Sequence, residues 1–318
     1  MSQFRIITSY VVTGTRSFRL GSRRVLDRWG MNLQNPDKYT QDIAVAAPGM
    51  VIVQGDQSGA EALIVAYLAR PGRYRALFQN NVKPHTYLAM HLFAETFGLT
   101  SASPFLHLEP HEFVNLPEWP ALHKRIKNSG NPYDIGKRTA HGSSYRMGPR
   151  TFRDANIKQS KGRLRLNLKE CAAFLNKFKT LFPEIVEWQE SIEIAVRSTR
   201  RLENLFGYER RFERELTDSY IREAISWIPQ STVGCITHLG IRKARAAGLR
   251  VCSNKHDSYA VMCREDEAPD VARFIQDSMS VTLPGRDTSF TMKSEIQIGR
   301  NWKPASDKNP EGMKEWKN

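Results

Sequence analysis

Residues 51–69, VIVQGDQSGAEALIVAYLA, pass from an apolar, β-rich run through one acidic residue, Asp56, into an amphipathic pattern. The run MVIVQGD (50–56) has the composition of a buried strand, and SGAEALIVAYLA (58–69) has helical periodicity closed by the breaker RPG. A carboxylate at such a junction commonly caps the helix by accepting a free backbone N–H. Local grounds favour that reading, and the rest of the chain decides whether it is kept.

The chain has 318 residues, 40% of them hydrophobic, enough to bury one large core or two or three lobes. Its 47 Lys and Arg outnumber 33 Asp and Glu, for a net charge of +14, which points to a polyanionic partner whose released counterions favour binding. Four cysteines, Cys171, Cys235, Cys252 and Cys263, form no CxxC pair and suit a reducing, cytoplasmic setting. His107 and His111 in HLEPHE have i, i+4 spacing, but the intervening Pro110 argues against a helix and no third ligand lies near, so zinc is not expected. No apolar run approaches the length needed to span a membrane, and none is expected.

From residue 75 to 215 the pattern is mainly helical, with a break at NSGNPYDIG and a long amphipathic stretch, 168–201, whose Leu175, Phe178, Phe182 and Ile185 form one apolar face. Residues 121–165 carry twelve Lys or Arg against Asp134 and Asp154, a one-sided balance suited to phosphate. LRVCSNKHDSYAVMCRED (249–266) alternates around KHDS and predicts a β-hairpin with Asp257 at its tip. A helix over PDVARFIQDSM and a strand over SFTMKSEIQIG follow. The order gives an α+β fold, an antiparallel sheet interrupted by an inserted helical lobe.

In this order the segments resemble the family A DNA polymerases, the group of bacterial DNA polymerase I. GDQSGAEAL is similar to motif A at Asp56, Ser58, Glu61 and Leu63; KRTAHGSSYRMG to motif B at Lys137 and Tyr145; KHDS to motif C at His256 and Asp257. TRSFRLGS and NLQNP look like the family's Thr-x-Thr-Gly-Arg and Asn-Leu-Gln-Asn segments, REAISWIPQ places Arg222 and Gln230 in the family's register, and IGRNWKP resembles its carboxyl terminus.

The resemblance implies a palm at 1–74 and 216–304, helical fingers at 75–215 and a polar tail at 305–318. It implies a template-directed DNA polymerase acting on primer-template DNA and dNTPs with two Mg²⁺ ions, Mn²⁺ as a substitute, held by Asp56 and Asp257. Such a reaction uses cations about 3.5–4 Å apart, on hard carboxylate oxygens.

It further implies Lys137 on the triphosphate, with His85 and Arg138 as further phosphate contacts. His141 and Tyr145 would lie on the base side, one and two turns after Lys137, and Glu61 would be the gate against a 2′-hydroxyl. Arg19, Asn32, Gln34, Arg222, Gln230 and His256 would be the DNA contacts.

Tyr133, Arg146 and Ser258 stand where the family has Arg, Gly and Glu. Arg138, Arg125 or Lys127 would then stand in for the missing Arg. The Thr-Gly-Arg segment begins near residue 13, which leads to the expectation that thumb and exonuclease are supplied by a separate chain or are dispensed with. The alternative expectation is a non-catalytic DNA-binding or replisome scaffold that keeps the fold.

Overall fold

Val51, Ile52 and Val53 are all buried, because the strand they form is covered on both faces. The computed structural model describes residues 8–11, 15–23, 34, 41–57 and 59–317. A short hairpin, β1 (Ser9–Val11) and β2 (Gly21–Arg23), comes first, then β3 (Met50–Asp56). The helical part runs α1 (Ala60–Leu68), α2 (Arg73–Gln79), α3 (Pro84–Leu92), α4 (Pro110–Phe113), α5 (Trp119–Lys127), α6 (Asn131–Ser144), α7 (Pro149–Gln159), α8 (Leu168–Leu181) and α9 (Pro183–Thr199). Hairpin β4 (Arg201–Glu203) and β5 (Glu209–Arg211) leads to the long α10 (Asp218–Ala246). Then come β6 (Arg250–Lys255), β7 (Ser258–Arg264), α11 (Ala268–Met279), β8 (Val281–Leu283), β9 (Phe290–Met292), β10 (Glu295–Gly299) and β11 (Lys314–Glu315).

Five strands form an antiparallel sheet in the order β11-β10-β3-β7-β6, with β3 at its centre. Successive side chains of β3 alternate between faces. Val51 and Val53 join a core with Ile236, Tyr259, Ile275 and Ile296, while Ile52 turns to a smaller cluster with Ala260, Trp302 and Met313. Full burial of each such side chain stabilises the fold by roughly 1.5–3 kcal/mol. α11 lies so close on β3 that a Cβ on Gly55 would be 2.4 Å from Ile275 Cγ2, and α10 approaches β7 at Gly240, whose Cβ would be 2.7 Å from Tyr259. Strand and helices can meet this closely only where a side chain is missing.

The helical lobe has its own aromatic core, in which Tyr74, Tyr87, Phe113, Phe178, Phe182 and Trp188 are buried together. Its long amphipathic stretch is two helices, because Pro183 lacks the N–H that would continue α8 and instead starts α9. The strand expected over 289–299 is likewise two, β9 and β10, separated at Lys293 and Ser294. Residues 305–317, expected as a polar tail, are folded back: β11 pairs with β10, Met313 is buried, and the Trp316 N–H donates to the Ile296 carbonyl at 2.9 Å. Asn32 and Ser58 lie outside the described residues.

Candidate active site

The register of the sheet sets the two motif carboxylates side by side. Asp56 is the last residue of β3 and faces Ser258 on β7, so Asp257, in the turn before β7, stands at the same sheet edge. The Gln57 N–H donates to the Asp257 carbonyl at 3.1 Å. The buried Gln57 amide donates to Thr237 Oγ1 of α10 at 2.8 Å, and that hydroxyl in turn reaches the His256 carbonyl at 3.2 Å. One helix thus fixes both carboxylate-bearing turns.

Asp56 does not cap the following helix. The N-cap of α1 is Gly59 in the left-handed region, φ +71°, with no side-chain cap. Burial, then Asp257, then Glu295, push the Asp56 carboxyl up to about 7. Burial also raises Asp257. Two half-buried carboxylates, one of them raised by the charge of the other, with no side-chain hydrogen bond to Asp56 among the described residues, suit a hard divalent cation. No group of three or more metal-ligating side chains occurs among the described residues. The donor set is therefore a carboxylate pair, and Mg²⁺ held this way fills its remaining positions with water and substrate phosphates.

Glu61, in the first turn of α1, is ion-paired with Arg19 and accepts a hydrogen bond from the Tyr145 hydroxyl at 2.5 Å. Tyr145 is the C-cap of α6, and the His141 and Tyr145 rings are 5.5 Å apart and nearly perpendicular. Lys137 and His141 are exposed on α6, one turn apart.

Across from them the N-terminus of α3 brings in His85. Gly136 makes this possible, since a Cβ there would be 2.7 Å from the His85 carbonyl and 2.8 Å from Ala89 Cβ. Burial, then Lys137 and Lys83, lower His85 to about 4, so the ring is neutral near pH 7. His85 Nε2 and the Tyr133 hydroxyl are 2.7 Å apart, so the Tyr that replaces the family's Arg is joined to this histidine.

Several expected contacts lie elsewhere. Arg138 points to α7, donating to Gln159 Oε1 at 3.1 Å and Asn156 Oδ1 at 3.2 Å, because its place on α6 is turned away from Lys137. Arg125 donates to the Phe97 carbonyl. Gln34 is buried, accepting from Ser22 N at 2.9 Å and donating to the Leu20 carbonyl at 2.6 Å, so its amide braces the β1–β2 hairpin instead of facing outward.

Arg19 and its segment do lie on α10: the Trp227 indole donates to the Arg16 carbonyl at 2.8 Å, and Gly234 leaves room for Ser17. Arg222 and Gln230 are both half-buried on the same helix. His256 has φ +54°, and its Nδ1 is buried without a partner among the described residues.

Arg146 shows how a departure from the motif is accommodated. It adopts φ +54°, the region that favours glycine, and its guanidinium is paired with Glu193 and donates to Gln189 Oε1 at 3.3 Å. Gln189, buried on α9, donates to the Ser143 and Ser144 carbonyls at 2.7 and 2.9 Å, satisfying the open end of α6. Ser258, in place of the family's Glu, is buried and its hydroxyl donates to the Lys255 carbonyl at 3.3 Å. Sequence reasoning missed Gln57, Thr237, Lys83, Gln189 and Glu295, whose positions come from strand register and helix packing, not from any motif.

No family model matches the chain. It is similar to DNA polymerase I of Caldicellulosiruptor bescii, 27% identical over 95% of this chain and 32% of that protein. It is also similar to the thermostable DNA polymerase I of Thermus filiformis, 23% identical over 94% of this chain and 32% of that one. A DNA polymerase of Bacillus phage SP01 is 25% identical over 46% of this chain and 18% of its own length. The chain thus spans about a third of the length of the bacterial relatives. Among solved structures, the POL domain of Pol1 from M. smegmatis, in complex with DNA primer-template and dNTP, superposes with a TM-score of 0.66 at 18% identity. That match covers 94% of this chain and 48% of that one. The fold is that of a polymerase domain, and the resemblance carried by the motifs is borne out.

Proposed function

We propose that the chain is the palm-and-fingers part of a template-directed DNA polymerase that adds deoxynucleotides to a primer 3′ end. The observation that carries this reading is the pairing of Asp56 and Asp257 at one sheet edge, with Glu61 of the following helix tied through Tyr145 to α6, which exposes Lys137 and His141. In this reading residues 1–74 and 216–304 are the palm and 75–215 the fingers. Asp56 and Asp257 would hold Mg²⁺, or Mn²⁺ in its place, and a metal held there would supply activation of the attacking hydroxyl and charge neutralisation at the leaving pyrophosphate. The Gln57–Thr237 network keeps both carboxylates in position before substrate arrives, which spares reorganisation in the transition state.

Lys137 meets the charge that moves onto the leaving phosphates, and neutral His85 offers one ring nitrogen to a phosphate oxygen. His141 and Tyr145 stack on the base side, and Glu61, fixed between Arg19 and Tyr145, fills the space beside C2′. Arg19, Arg222, Gln230 and His256 contact the minor groove, whose purine N3 and pyrimidine O2 acceptors vary little with sequence. The exposed lysines and arginines of 121–165 follow the phosphate backbone.

The test is primer extension with Mg²⁺ and all four dNTPs. Template-dependent products support the proposal; DNA binding with no extension, in the presence of any gripping partner, would favour a scaffold.

A further inference from the structure

Transfer from a triphosphate needs more than one cation, and the family's second one on α6 is Tyr133 here. Its neutral hydroxyl is joined to His85 at 2.7 Å. The two arginines nearest in sequence are taken, Arg138 by Asn156 and Gln159, Arg125 by the Phe97 carbonyl. A further exposed cation stands at the start of another helix.

Lys83 is the N-cap residue of α3, two positions before His85, and is exposed. Its ammonium lies 3.9 Å from Glu295, and Glu295 is the cross-strand neighbour of Asp56 on β10. The Lys83 charge therefore stands at the carboxylate edge of the sheet, at the start of the helix that carries His85. Both Asp56 and His85 respond to that charge. Its ion pair with Glu295 is long and exposed on both sides, a contact that contributes little to stability. A better-charged partner can displace it.

We propose that Lys83 is the second triphosphate cation, exchanging Glu295 for the β- and γ-phosphates of an incoming dNTP and replacing the arginine that Tyr133 has lost. This rests on the polymerase reading above. Glu295 parks the ammonium beside the site when no nucleotide is bound, and a phosphate oxygen, carrying more charge, takes it over.

The test compares wild type with Lys83→Ala, Lys83→Arg and Glu295→Gln in steady-state primer extension, with any gripping partner present. Binding of inorganic tripolyphosphate with Mg²⁺ is measured by calorimetry on the same proteins, and melting curves establish that each variant is folded. Lys83→Ala is expected to raise KM for dNTP about tenfold with a smaller change in kcat, and to weaken tripolyphosphate binding to a similar degree. Lys83→Arg is expected to restore both, and Glu295→Gln to lower KM by removing the competitor.

Unchanged KM and unchanged tripolyphosphate affinity in folded Lys83→Ala overturn the proposal while leaving the polymerase reading intact. Failure of the wild type itself to extend primers overturns the polymerase reading. Tripolyphosphate binding then still decides whether Lys83 is a phosphate contact.

Discussion

The Tyr145 hydroxyl donates to the Glu61 carboxylate at 2.5 Å, joining the C-terminal cap of α6 to the first turn of α1. Arg19 holds the other carboxylate oxygen, so Glu61 is fixed from two sides at the point where helical lobe and sheet meet. A side chain held in this way can exclude a substituent by bulk alone.

Glu61→Ala is therefore expected to raise ribonucleotide incorporation relative to deoxynucleotide, and Tyr145→Phe, which frees one carboxylate oxygen, to raise it less. Parallel extension assays with rNTPs and dNTPs measure the ratio. An unchanged ratio in an active Glu61→Ala protein would leave Glu61 as a structural tie.

The contact of α3 with α6 at Gly136 sets a second expectation. A methyl group there would sit 2.7 Å from the His85 carbonyl, a backbone atom with little room to yield. Gly136→Ala is expected to cost about 1–3 kcal/mol of stability and to raise KM for dNTP by separating His85 from Lys137. Denaturant unfolding and extension kinetics check both; wild-type values would mean that the helices part freely.

Arg146 combines a left-handed backbone with an anchor to Glu193. Arg146→Ala keeps the backbone strain and loses the anchor, so it is expected to destabilise the chain by about 1–2 kcal/mol. Arg146→Gly loses the anchor but relieves the strain, and should fall closer to wild type. Urea unfolding of the pair reads the difference, and a Gly variant weaker than the Ala variant would contradict this account.

The elements around the site were legible in the sequence to very different degrees. Asp56 could be placed by the apolar run it closes and Asp257 by the turn between two alternating runs; their pairing followed from the resemblance and required only that the two strands be neighbours, as β3 and β7 are. Lys137, His141 and Tyr145 followed from the resemblance, with helical period adding only that they share one face. Glu295 and Lys83 could not be found this way, since their nearness to Asp56 depends on the register of β10 and the packing of α3. Arg138 was misplaced for a related reason: it follows Lys137 directly, about 100° further round the helix, and faces α7. The hairpin β4–β5 was absorbed into an expected helical stretch because its strands are only three residues each.

The raised proton affinity of Asp56 makes the metal-free protein sensitive to pH. Folding lifts its pKa from 3.8 to about 7, so the folded chain holds a proton that the unfolded chain releases above about pH 4. The stability this group contributes is full below the unfolded pKa and is lost as pH rises through about 7. Without metal, Asp56→Asn is expected to melt above wild type at pH 8, with the difference shrinking toward pH 4. Mg²⁺ should raise the melting temperature of wild type at pH 8 and that of Asp56→Asn much less. Identical melting curves across this range would mean that the carboxylate pair carries no strain for a cation to relieve.

The most direct measurement is single-turnover primer extension by wild type, Asp56→Asn and Asp257→Asn, with primer-template affinity measured on the same samples. Each substitution is expected to slow extension by about a thousandfold or more while leaving primer-template affinity within a few-fold of wild type. Near-wild-type extension by either variant would contradict the assignment of Asp56 and Asp257 as the metal-holding pair.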